Sequence, residues 1–258
     1  MLKKIKILGV GITNETEEKI LEYIFDVVLK GKEKAAIVTP NPEILVYASK
    51  HSSFRVLLNK ATIALPDGAG LFIASGLLGH KLKERIPGVD FMETLCRKAQ
   101  GKPVSIGFLG GRRGVARRTA DCLAKRYPGL KVRWVGEEWE TSKHKDVLIQ
   151  SDRDKTEIKP RISAHDPIDI LFVAYGFPKQ EEWIAANLHK LPVRVAMGVG
   201  GAFDYISGDV LRAPFMIRAV GMEWLFRLVR QPWRIKRQLS LFEFVYLLGK
   251  ATLSSAKE

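Results

Sequence analysis

The sequence predicts an α/β protein, a mostly parallel sheet with helices on both faces, and three observations predict it. Apolar, β-rich runs alternate with segments of helical periodicity along most of the chain. Such runs suit strands covered on both faces by helices. The unusual residues, prolines and glycines beside lone polar groups, fall just after those runs, where open α/β sheets bind ligands.

The elements follow in order. Strands are expected at 5–8, 35–38, 62–65, 104–109, 131–135, 168–174 and 194–197. Helices are expected at 16–29, 42–48, 68–78, 90–98, 113–127, 178–188 and 215–229. Lys3, Lys4 and Lys6 before a short apolar run imitate a leader peptide, but the run is brief and a polar, acidic stretch follows, so a first strand is the better reading. The stretch 141–167 is polar and mixed in charge, suiting a surface helix and loop. After Gly208 the alternation stops and basic and aromatic residues crowd together, so a core over 1–208 and a basic, amphipathic, helical appendage over 209–258 are expected.

Composition narrows the function. The 258 residues are 46% hydrophobic and 27% charged, enough for a sizeable core under an ordinary surface. No apolar stretch approaches the roughly 18 residues of a membrane span, which predicts a cytoplasmic protein. The net charge of +14 favours a polyanionic partner: nucleic acid, anionic lipid or a phosphorylated substrate. Cys96 and Cys122 lie in helical segments without metal-ligand spacing and are read as reduced and structural.

Five motifs stand at strand ends. Thr39-Pro40-Asn41-Pro42 fits a capped turn with Pro42 in the first helical turn, and also a pair of hydrogen-bonding groups, Thr39 and Asn41, facing a ligand. In Pro66-Asp67-Gly68-Ala69-Gly70, Asp67 fits an N-cap and equally a general base within reach of a substrate hydroxyl. Gly107 to Gly114 resembles a phosphate-cradling turn but matches neither G-x-G-x-x-G nor G-K-[ST], so tight strand–helix packing is the better reading. Gly176-Phe177-Pro178-Lys179-Gln180-Glu181 starts a helix whose polar first turn is either solvated or ligand-facing. In Gly198-Val199-Gly200-Gly201-Ala202-Phe203-Asp204 the glycines allow close backbone approach, and Asp204 could accept hydrogen bonds from a nucleoside or merely cap a turn.

In the tail, Ile217, Val220, Trp224, Leu225 and Leu228 share one helical face flanked by Arg227 and Arg230, and Arg234 and Arg237 continue the stripe past Pro232. This pattern suits a membrane interface with anionic head groups, a diphosphate clamp, or a helix packed on the core with a basic edge. Asp152-Arg153-Asp154 copies the D-x-D metal signature of nucleotide-sugar enzymes, but its charged surroundings mark a solvated run. The five histidines show no ligand spacing, and no metal is expected.

Taken in order, these motifs, with Glu84-Arg85-Ile86-Pro87-Gly88-Val89-Asp90 and the block from Arg212-Ala213-Pro214 through Trp224, Arg227 and Pro232-Trp233-Arg234 to Arg237, resemble the WecG/TagA/CpsF family, glycosyltransferase family 26. The resemblance covers nearly the whole chain. It implies a Rossmann-like core with a membrane-docking tail, and an inverting, metal-independent, cofactor-free transfer from a UDP-sugar to an undecaprenyl-diphosphate-linked sugar. For TagA-like members it implies N-acetylmannosamine carried from UDP to lipid-linked N-acetylglucosamine, an early step of teichoic acid synthesis.

By the same resemblance Asp67 is the base. Thr39, Asn41, Arg85 and Gln180 line the pocket, Gly200, Gly201 and Asp204 bind uridine, and Arg227, Arg234 and Arg237 close over the diphosphate. Peripheral attachment to the anionic inner face of the membrane is implied, and self-association is left open. The chain departs from the pattern at Val135-Gly136-Glu137-Glu138-Trp139, where relatives carry a Gly-aromatic pair.

Alternatives differ in class. A same-family enzyme would use UDP-N-acetylmannosaminuronic acid or another UDP-hexose on a different lipid-linked acceptor. A nucleic-acid module needs basic residues interleaved with exposed aromatics, which only the tail offers. A nucleotide-dependent oxidoreductase lacks its glycine fingerprint.

Overall fold

The structure is a computed structural model describing residues 2–136, 162 and 167–255, without the side chains at 234, 236–238 and 254–255. Trp139, the Asp152-Arg153-Asp154 run, and nearly all of 141–167 lie outside the described residues. The chain divides into two compact units, one formed by Met1–Ile20, Val38–Gly88 and Leu211–Glu258, the other by Leu21–Ile37 and Val89–Val210.

The second unit carries the parallel sheet. Strands β3 (Ala35–Val38), β5 (Ser105–Gly110), β6 (Lys131–Gly136), β7 (Ile168–Ala174) and β8 (Val193–Gly198) pair in parallel as β3-β8-β7-β5-β6. Every residue of β5 is buried, whereas β6 at the edge alternates, which separates a strand covered on both faces from a half-solvated one. Ser105 locks the start of β5 to β7: its N–H and hydroxyl donate to Asp169 Oδ2 at 2.7 and 2.8 Å. Phe108, Phe172 and Phe203 form the aromatic centre, with ring centroids 5.7 and 5.8 Å apart.

Around this sheet run α5 (Gly88–Ala99), α6 (Val115–Arg126), α7 (Lys179–Asn187) and the short α8 (Ala202–Ile206). The expected 16–29 helix is instead α1 (Glu17–Glu22) followed by a π-helical stretch, Tyr23–Val28. Cys96 is fully buried and free, and burial pushes its thiol upward, so it stays protonated and inert.

The first unit departs from the expected strand pairing. The first strand, β1 (Lys4–Ile7), does not join the parallel sheet; it pairs antiparallel with β2 (Val10–Thr13). The two-residue turn Leu8-Gly9 has both φ angles positive (46° and 78°), as a tight right-twisting hairpin requires. Thr13 Oγ1 accepts from the Ala64 N–H at 2.9 Å, tying β2 to the short β4 (Ile63–Ala64). Within this unit the Leu65 N–H donates to Val38 O at 2.9 Å.

Helices α2 (Pro42–Lys50), α3 (Ser52–Lys60) and α4 (Ala69–Leu77) complete the early part. The tail adds α9 (Phe215–Ala219), α10 (Glu223–Arg230), a 3-10 turn at Pro232–Arg234, and α11 (Ile235–Ser255). The single amphipathic helix expected over 215–229 is two helices, broken at Gly221 with φ 77°. The break turns the proposed stripe apart: Val220, Trp224 and Leu225 are exposed while Ile217 and Leu228 are half-buried. Helix α11 packs on α2 and α4 through Phe244 and Leu248, both buried, and Lys50 meets Glu243 at 2.7 Å.

Candidate active site

In the first unit the strand-end residues gather around Gly88. A Cβ built on Gly88 would lie 2.8 Å from Thr39 Cγ2 and 3.7 Å from Asp67 Oδ2, so the Thr39 side chain and the Asp67 carboxylate converge on one stretch of bare backbone. Only glycine leaves that space. Backbone bonds set the convergence: the Asp67 N–H donates to Leu65 O (2.9 Å) and Pro40 O (3.2 Å), and the Ile86 N–H donates to Pro66 O (3.1 Å).

Asp67 is not an N-cap. That position belongs to Gly68, whose φ of 89° no larger residue adopts without strain, and Asp67 stands one residue earlier, half-buried at the mouth of α4. Asn41 is an N-cap: its Oδ1 accepts from the Ile44 N–H at 3.0 Å, with Pro42 in the first turn. The cap occupies the carbonyl end of the Asn41 amide and leaves the Nδ2 end outside the cap. Both readings of that turn can therefore hold together.

Arg85 joins this corner to the tail. Its Nη2 donates to Arg218 O at 2.8 Å, and a Cβ on Gly221 would lie 3.4 Å from Arg85 Nη1 and 2.5 Å from Ala69 Cβ. The turn between α9 and α10 therefore lies directly against the residues that follow Asp67. Helix α10 starts two residues later and carries Arg227, half-buried, whose Nε donates to Gln231 Oε1 at 3.4 Å. The Arg234 and Arg237 side chains lie outside the described residues.

The segment bearing Arg85 is itself held. Glu15 takes Lys83 at 2.5 Å and Lys19 at 3.1 Å, and the Glu17 N–H donates to Glu84 Oε2 at 2.8 Å. The Lys83 hydrogen bond, above all, brings the Glu15 carboxyl down to about 2.

The second unit holds the other predicted residues. Gln180, in the first turn of α7, is 2% exposed, and Glu181 beside it is 1% exposed, so that turn is buried, contrary to the solvated alternative. Gln180 Oε1 accepts from the Gly200 N–H at 2.9 Å, and its Nε2 donates to Glu181 Oε1 at 2.8 Å. A Cβ on Gly198 would sit 2.9 Å from Gln180 Nε2, which explains a glycine there. Gly200 has φ 52°, Gly201 leads into α8, and Asp204 is half-buried on α8.

Sequence reasoning missed Glu181, because a carboxylate in a helical first turn normally signals solvent or the helix dipole. The Gly107–Gly114 turn is packing, as expected: a Cβ on Gly111 would strike Val115 Cγ1 at 2.1 Å.

Comparison with known proteins gives the family of the chain. Residues 5–258 match the model of the glycosyl transferase WecG/TagA/CpsF family. A protein of Bacillus spizizenii, named N-acetylglucosaminyldiphosphoundecaprenol N-acetyl-beta-D-mannosaminyltransferase, is 34% identical over 89% of this chain and 84% of its own length. Proteins of the same name from Staphylococcus aureus (strain MRSA252; 34%, covering 96% of this chain and 93% of the relative) and Bacillus subtilis (32%, covering 94% and 90%) are also similar. With the family model spanning all but the first four residues, the chain belongs to the WecG/TagA/CpsF family of glycosyltransferases.

Proposed function

We propose that this chain transfers N-acetylmannosamine from UDP to N-acetylglucosamine carried on undecaprenyl diphosphate, forming a β linkage, with inversion and without a metal or cofactor. The observation that carries the reading is the corner where Thr39 and the Asp67 carboxylate meet over Gly88 while Arg85 and the Gly221 turn close beside Ala69. The relatives' name, which gives the transferred sugar, its β linkage and the lipid-linked acceptor, supports that part of the reading.

Asp67 accepts the proton of the acceptor hydroxyl as its oxygen attacks the anomeric carbon. The bond to UDP breaks on the opposite face, and UDP leaves with the electron pair. Charge growing on the leaving diphosphate requires fixed cations and backbone donors. Arg227, Arg234 and Arg237 of the tail are assigned the cations, and Gly200, Gly201 and Asp204 the uridine contact. Thr39, Asn41 and Arg85 orient the two sugars, and Gln180, 2% exposed, acts through the Gly200 N–H it holds.

A lipid-linked acceptor places the reaction at a bilayer, and the peripheral inner face of the cell membrane is the proposed location. Among the described residues no helix is long and apolar enough to cross a membrane. The first unit instead exposes Phe215 (74%), Met216 (80%), Trp233 (73%) and Phe242 (76%) on the tail, with Ile73 and Leu77 on α4. Apolar exposure of this density, in a chain of charge +14, suits an anionic interface.

The test is turnover of UDP-N-acetylmannosamine with a short-chain lipid-diphosphate N-acetylglucosamine analogue, run beside UDP-N-acetylmannosaminuronic acid and other UDP-hexoses. Preferred use of another donor would overturn the sugar assignment, and metal-dependent turnover in chelator-treated protein would overturn the metal-free mechanism.

A further inference from the structure

We propose that Glu181 is a positioning residue for the glycine turn Gly198–Gly201: its buried carboxyl fixes which way the Gln180 amide faces, and that amide holds the Gly200 backbone in place. The donor-binding part of this inference rests on the function proposed above; the positioning part does not.

A glutamine amide is nearly symmetric in shape but opposite in chemistry at its two ends. Gln180 presents its oxygen to the Gly200 N–H (2.9 Å) and its nitrogen to Glu181 Oε1 (2.8 Å). Turned over, it would set an N–H₂ against an N–H at Gly200 and an oxygen against a carboxyl oxygen at Glu181. Glu181 Oε1 accepts whether the acid is ionised or carries its proton on Oε2, so one orientation survives in both states. The contact has little play, because Gly198 leaves room only for the amide itself.

Two further observations show that the group is not ordinary surface charge. Glu181 is 1% exposed, and its Oε2 is buried with no hydrogen-bond partner among the described residues. A carboxylate kept there against desolvation is expensive unless neutral, and burial, assisted by the neighbouring Glu182 charge, raises it to about 7. A carboxyl raised to about 7 is partly protonated at neutral pH, and its Oε1 accepts from the amide in both forms.

The experiment uses the full chain and three variants: E181Q, E181L and E181D. Hydrogen exchange at the Gly200 amide, without nucleotide, reads positioning alone; calorimetric UDP binding and the donor and acceptor KM values read its consequence. E181Q keeps a neutral acceptor in place and should bind UDP within about twofold of wild type. E181L removes the acceptor and should speed Gly200 exchange and weaken UDP binding about tenfold, the loss expected from one misdirected buried hydrogen bond. Donor KM should rise with acceptor KM unchanged, whereas general misfolding would lower kcat and leave both KM values alone. E181D draws the acceptor back by one methylene and should fall between, which keeps the test decisive if E181L does not fold. Unchanged Gly200 exchange in E181L or E181D, or equal losses in E181Q and E181L, would overturn the proposal. Faster exchange with no UDP binding even in wild type would retain the positioning role and overturn the functional reading instead.

Discussion

The two units prepare their functional residues differently. In the first, Asp67 and Thr39 are placed by backbone bonds and bare glycine, and Arg85 depends on a carbonyl contributed from 133 residues further along the chain. In the second, Gln180 is oriented by its sequence neighbour and holds a turn only 20 residues away. The first arrangement needs the tail in place, while the second is assembled from one helix turn and one loop. Damage to the tail should therefore be felt at the Asp67 corner, and damage inside α7 at the glycine turn.

The sharpest break in that comparison is Asp67→Asn. Loss of a general base predicts a fall in kcat of about 10³-fold with UDP affinity retained, read by turnover beside calorimetry. Phe244→Ala comes next: removing a fully buried ring between α11 and the early helices should destabilise by about 3–5 kcal/mol, visible in denaturant titration. It should lower activity through the Asp67 corner and leave Gly200 exchange alone.

Two pH experiments sharpen the contrast. The Glu181 carboxyl has a folded value of about 7, above its unfolded one, so its contribution to stability is full below about 4.5 and is lost as pH rises through 7. E181Q does not titrate and should gain stability relative to wild type between pH 5 and 9, by at most about 3 kcal/mol. Glu15 runs the other way. Its folded value of about 2 lies below the unfolded one, so its contribution is present above about 4.5 and disappears as pH falls toward 2. Against E15Q, wild type should lose about 1 kcal/mol over that acid range, a modest figure because Lys83 and Lys19 are half in water. Should the acid loss in E15Q match wild type, the Lys83 clamp on the Arg85 segment is not what holds it.

Much of the architecture was legible because strand and helix follow from local pattern. Apolar runs marked β3, β5, β7 and β8 to within a residue or two, and Pro42, Gly68 and Gly198 marked the turns after them. What escaped were elements whose pattern is weak or whose partner is distant. Strand β2 is four residues long and visible only through its hairpin. Helix α11 is 21 residues with apolar groups all round, and its buried stripe is defined only by α2 and α4. The expected 215–229 helix runs through Gly221; the close approach of that glycine to Ala69 and Arg85, which no local pattern announces, accompanies the break.

The site shows the same division. Residue types and spacing, together with the family resemblance, singled out Thr39, Asn41, Asp67, Arg85 and Gln180. They could not say that Asn41 spends its carbonyl on a cap, that Gly68 rather than Asp67 caps α4, or that Glu181 is buried. Sequence alone determined the parallel α/β class and the order of the strand-end motifs, because hydrophobic period and turn chemistry act over a few residues. Tertiary structure alone decided which of those motifs meet: burial and hydrogen bonding between distant segments, such as Arg85 with Arg218 or Gly88 with Thr39, depend on how the chain returns upon itself.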